Sequence, residues 1–67
     1  MIKVMDLMYN GKHYTCKKET SESGMYNAYR LYLEWNEPTD HGIRHRTKQI
    51  AKYAEMRSVL SHIVQLG

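Results

Sequence analysis

Residues 43–67 read IRHRTKQIAKYAEMRSVLSHIVQLG, and the way this stretch divides decides the fold. Taken as one straight helix, Ile50, Tyr53 and Ala54 centre near one direction. Met56, Val59, Ile63 and Leu66 centre roughly 130° away at helical pitch. One helix would not present both sets to a single core. The preferred reading is a basic strand over 43–53, followed by a helix over 55–66 in which Met56, Val59, Leu60 and Ile63 recur at helical spacing. The alternative is three strands plus one long C-terminal helix.

A strand over 43–53 needs a partner, and the preceding segment supplies one. Over 26–35, Tyr29, Leu31, Leu33 and Trp35 alternate with Arg30, Tyr32 and Glu34, the period of a half-buried strand. Residues 36–42, with the only Pro, read as a loop. Closing it with Trp35 opposite Ile43 sets Glu34 across from Arg44, Tyr32 from Arg46 and Arg30 from Lys48. That register gathers Arg30, Arg46 and Lys48 around Tyr32 on one solvent face.

The N-terminal part carries the clearest local signal. Asn10-Gly11 between apolar-rich runs marks a two-residue hairpin turn, because both turn residues need positive φ. It pairs Tyr9 with Lys12, Leu7 with Tyr14 and Met5 with Cys16. One face then holds Met5, Leu7, Tyr14 and Cys16; the other holds Asp6, His13, Thr15 and Lys17, with Val4 and Met8 among them. Residues 19–24 form a polar loop. The expected fold is α+β: a small four-stranded antiparallel sheet of two hairpins, with one C-terminal helix packed on one face, in a single domain spanning 1–67. Its expected core is Met5, Leu7, Tyr14, Cys16, Leu31, Leu33, Trp35, Val59, Leu60 and Ile63.

Composition bounds the function. The chain has 67 residues and a net charge of +3, a length at which a catalytic pocket and its supporting shell are hard to build. It has no apolar run of the ~18 residues a membrane span needs. Lys3 and Asp6 interrupt the first apolar stretch, so no secretory segment is expected. A single Cys excludes an internal disulfide, and a small unstapled fold suits the reducing cytoplasm. The charge is uneven: five cations against six anions through residue 40, then five cations against Glu55 alone.

Little in the chain points to chemistry. His13 and Cys16 are three apart and point to opposite faces of a strand, and His41 and His45 share a face only on a helix, so no metal site is expected. Cys16 has no nucleophile signature around it and reads as a small core residue. The glycines are isolated, so there is no phosphate loop. No catalytic residues, no cofactor and no enzymatic activity are expected.

Binding is the remaining class. Tyr, Trp, Arg and Met together outnumber Leu, Ile and Val in this sequence, and such residues enrich interface hot spots. The expected function is a small intracellular binding module, an inhibitor or adaptor docking on a larger protein, of the type phages and mobile elements use to block host defence or nucleic-acid-handling proteins. Its expected face is Arg30, Tyr32, Arg44, Arg46, Lys48 and Lys52. The alternative is a nucleic-acid-binding domain that sets the same face against phosphates. No membrane partner is expected. Homo-oligomerisation is compatible with either reading, because the first strand is apolar on both faces and edge strands invite pairing.

Overall fold

The computed structural model describes residues 1–66. Four strands, β1 (Ile2–Tyr9), β2 (Lys12–Thr20), β3 (Asn27–Thr39) and β4 (Gly42–Tyr53), are followed by one helix, α1 (Met56–Leu66). The strands form one antiparallel sheet in the order β1-β2-β3-β4. The expected α+β fold is therefore present, and residues 43–53 are strand.

The first hairpin has the register that Asn10-Gly11 dictates, with Tyr9 opposite Lys12, Leu7 opposite Tyr14 and Met5 opposite Cys16. Asn10 and Gly11 have φ of 51° and 76°, the left-handed pair that lets a two-residue turn follow the strand twist. Beyond it, β2 continues against β3 with Tyr14 opposite Leu33 and Cys16 opposite Leu31.

The core forms on the face of the sheet that α1 covers. Tyr14, Cys16, Leu31, Val59 and Ile63 are buried, with Met5, Leu7, Tyr29, Leu33, Ile50, Ala51, Tyr53 and Met56 packed around them. Val59 and Ile63 lie four residues apart, on the helix stripe that faces the sheet. Met56 Sδ lies 3.8 Å from Cys16 Sγ. At the other end of that stripe the Tyr53 hydroxyl and His62 Nδ1 are hydrogen-bonded at 2.6 Å, tying α1 to β4. Cys16 is fully enclosed, and its burial pushes the thiol pKa up, as expected where a thiolate would lose its hydration.

Two expected core residues fall outside it. Leu60 is 44% exposed and Trp35 is 40% exposed. Leu60 lies one residue past Val59, and that ~100° rotation turns it off the covered stripe. Trp35 is on the helix side of the sheet but beyond the end of β2, whose pairing with β3 stops at His13 opposite Glu34.

The second hairpin departs from expectation, with consequences for function. Residues 36–42 are not a loop. The β3–β4 pairing runs on to Thr39 opposite Gly42, closed by Asp40 and His41. Thr39 supports this turn: its hydroxyl donates to the Gly42 carbonyl at 2.9 Å and accepts the His41 N–H at 3.3 Å. Gly42, at φ 124°, takes a backbone conformation that a side chain disfavours. Pro38 is tolerated because no β2 residue pairs with this part of β3, so its missing N–H breaks no ladder there.

Candidate functional site

The closed turn changes which residues meet. Arg44 lies opposite Glu37 and not Glu34, Arg46 opposite Trp35 and not Tyr32, and Lys48 opposite Leu33 and not Arg30. An odd shift in register exchanges the two faces of a strand. A β-bulge then acts on top of it. The register slips between Leu31 and Tyr32, where Leu31 pairs with Ala51 and Tyr32 with Gln49. Ile50 is the extra residue, and side chains on either side of it alternate out of phase.

The six expected site residues are therefore split between two faces. Arg30, Tyr32 and Lys52 lie on the face away from α1. Arg44, Arg46 and Lys48 lie on the same side as α1, beyond its end, with Trp35 and Leu33 across from them. The first group is largely engaged within the molecule. Arg30 donates from Nε to Glu19 at 2.8 Å and from Nη1 to Gln49 at 3.2 Å. The Lys17 ammonium lies 5.2 Å from the Tyr32 ring centre, a cation–π contact. The Arg30 guanidinium holds the Glu19 carboxyl below its ordinary pKa.

The second group is freer. Arg46 Nη1 is 3.3 Å from Glu37 Oε2, a pairing between half-exposed side chains that solvent weakens. Among the described residues no ion pair holds Arg44 or Lys48. Arg44, Arg46 and Trp35 sit on the β3–β4 arm, with Lys48 at its root opposite Leu33; the outer pairs, from Trp35–Arg46 to Thr39–Gly42, carry the arm about 15 Å past the last β2 pairing at strand rise. The arm leaves surface uncovered. The chain exposes 5112 Å², where a compact monomer of its 8.0 kDa exposes about 4,450 Å². Its radius of gyration is 13.6 Å, against about 11 Å for a compact chain of this length.

At the root of the arm, the end of the first hairpin and the unpaired edge of β3 enclose a groove of about 560 Å³. Met8, His13, Leu33, Trp35 and His45 are among its walls. Trp35 thus forms part of both the cationic face and the groove.

The other face carries a row of alternating acids and histidines. Asp6 on β1 contacts His13 Nε2, His13 Nδ1 is 3.2 Å from Glu34 Oε2, and His45 Nε2 is 3.6 Å from Glu34 Oε1. Beneath them Thr15, 3% exposed, donates to Glu34 at 2.8 Å. Its hydroxyl, followed by His13, holds the Glu34 carboxyl below its ordinary pKa. Hydrogen bonds from His13 and then Lys3 do the same for Asp6. Donor atoms of Asp6, His13 and Glu34 lie within 4.8 Å of one another, a set that could hold a metal ion. Spacing along the chain does not reveal this grouping, since one residue comes from each of three strands. The signal available was the first hairpin's own register, which already sets Asp6 and His13 on one face.

No protein-family model, curated protein or solved structure matches this chain. Among the described residues no helix is long and apolar enough to cross a membrane.

Proposed function

We propose that this chain is a non-enzymatic binding module, a small inhibitor or adaptor that docks on an acidic surface of a larger protein through its β3–β4 arm. The observation that carries this reading is the placement of Trp35, Arg44 and Arg46 together on one face of the β3–β4 arm past the end of β2, with Lys48 continuing that face at the root of the arm. A two-stranded ribbon is marginal by itself in water, and a partner surface would stabilise it. The uncovered area, some 650 Å² beyond a compact monomer by the size scaling, is close to the ~800 Å² that one side of a standard interface buries. Trp and Arg are the commonest interface anchors, an apolar body and a planar cationic fork that resist replacement. Charge complementarity selects the partner: among the described residues no ion pair holds Arg44 or Lys48, and the one carboxylate across from Arg44, Glu37, pairs with Arg46, so the complementary surface supplies carboxylates.

The same cations would suit phosphates, since a β-ribbon fits the major groove of a duplex. Trp35 and the apolar groove beside it favour a protein partner, because phosphate contacts make no use of a pocket walled by Met8 and Leu33. Capture from lysate with a tagged chain, with and without nuclease treatment, tests the choice. Capture that survives nuclease and is lost in an Arg44→Glu, Arg46→Glu variant supports the reading. Capture abolished by nuclease assigns the face to nucleic acid and overturns it.

A further inference from the structure

We propose that Asp6, His13 and Glu34 form a binding site for one divalent transition-metal ion of the zinc class, on the sheet face opposite α1. The residues come from β1, β2 and β3, and their donor atoms already converge to within 4.8 Å. Four-coordinate zinc holds its donor atoms about 3.3 Å apart at bond lengths of 2.0–2.1 Å. His13 Nδ1 and Glu34 Oε2, at 3.2 Å, already meet that spacing. Asp6 Oδ1 lies against Nε2, the other ring nitrogen, so to share the ion held by Nδ1 and Glu34 this half-exposed side chain at the sheet edge must swing round to the Nδ1 side of the imidazole.

The donor set selects the ion class. One imidazole nitrogen and carboxylate oxygens suit zinc and its first-row neighbours. Calcium requires six to eight oxygens, and three side chains do not supply them. Both carboxylates are also held from behind, as metal ligands generally are. The Thr15 hydroxyl fixes Glu34 from a buried position, and Lys3 Nζ lies 3.2 Å from Asp6 Oδ2, leaving Oδ1 directed at His13. His45, with Nε2 3.6 Å from Glu34 Oε1, stands on the open side, where a fourth donor or water completes the shell. Such an ion would join three strands on the face without a helix, a cross-link that a small domain lacking disulfides otherwise does not have.

The test uses the full chain, stripped with chelator and titrated with zinc chloride by calorimetry and by thermal unfolding, in excess magnesium and calcium. The expected result is saturable binding at one ion per chain with a rise in Tm. His13→Ala should weaken binding by more than the ~10–100-fold that loss of an outer-shell partner costs. His41→Ala and His62→Ala, remote from the cluster, should bind as the parent does. Glu34→Gln, which keeps the Thr15 hydrogen bond, separates lost ligation from lost folding. No saturable binding up to millimolar zinc would overturn the site. Binding that survives in His13→Ala, or that is lost in His41→Ala, would assign zinc to an adventitious surface histidine and overturn it equally.

Discussion

Trp35 stands directly opposite Arg46 on the β3–β4 arm, past the last residue that β2 pairs with. The aromatic ring and the guanidinium share one face, and Arg44 and Lys48 continue that face along β4. The pair lies outside the core, so its contribution to folding and its contribution to binding can be separated.

Replacing Leu31, fully buried at the centre of the sheet, by Ala should cost about 2–5 kcal/mol, as core truncations do. That is a large part of the total stability of a domain this size, roughly 3–10 kcal/mol at typical per-residue values. Trp35→Ala should cost about 1 kcal/mol or less, the range of surface substitutions. Urea unfolding of both variants checks the contrast. A Trp35→Ala chain as unstable as Leu31→Ala would place Trp35 in the core and remove it from the docking face.

Acid should weaken the fold through carboxylates on the face opposite α1. Glu19 and Glu34 have native pKa values lowered from 4.5, by Arg30 and Thr15 respectively as the leading causes. A lowered native pKa means that the unfolded chain binds protons first as pH falls. The stabilisation is therefore present above the unfolded value and is lost as pH drops through the native one. Unfolding free energy should decline from about pH 5 downward. Thr15→Val removes the hydroxyl on Glu34 at nearly constant shape, and its acid limb should be shallower than that of the parent. Equal slopes would show that the Thr15 hydroxyl does not set the Glu34 carboxyl.

Tyr53→Phe deletes the hydroxyl that bonds His62 while keeping the ring edge-on to it at 5.7 Å between centroids. A loss of about 0.5–1.5 kcal/mol is expected, the net worth of one hydrogen bond. Amide exchange should quicken in α1 more than in β1 or β2. Uniform quickening would mean that this bond does not anchor the helix in particular.

Cys16 should be inert toward a thiol reagent in the native chain, because it is fully enclosed and its thiol pKa is raised by burial. Its modification rate should follow the unfolded fraction across a urea titration. Fast modification of the folded chain would contradict the enclosure of Cys16 beside Met56 of α1.

How far the sequence could be read depended on the kind of signal. The first hairpin was legible because Asn10-Gly11 admits one turn geometry and so one register. The strand-to-helix change after Tyr53 was legible because two apolar directions could not share one helix. The second hairpin was not. Pro38 and Gly42 looked like loop residues, yet Pro38 sits where no ladder bond is needed and Gly42 serves the turn. Ile50 as a bulge residue left no local mark, since an isoleucine fits a regular strand equally well. The closed turn decides which way Arg44, Arg46 and Lys48 point, and the bulge decides which way Lys52 points, so the site was legible in its residues but not in its grouping. Asp6, His13 and Glu34 show the converse: their chain spacing is uninformative, and strand pairing brings them together.

The central claim is that the arm face, and not the opposite face, docks on a protein. Comparative capture from nuclease-treated lysate tests it most directly, using the parent chain, Arg44→Glu with Arg46→Glu, Trp35→Ala, and Arg30→Glu with Lys52→Glu. All four chains are first shown to be folded. The account predicts one partner protein retained by the parent and by the Arg30, Lys52 variant, and lost from both arm variants. A partner retained by the arm variants and lost with Arg30 and Lys52 would contradict it.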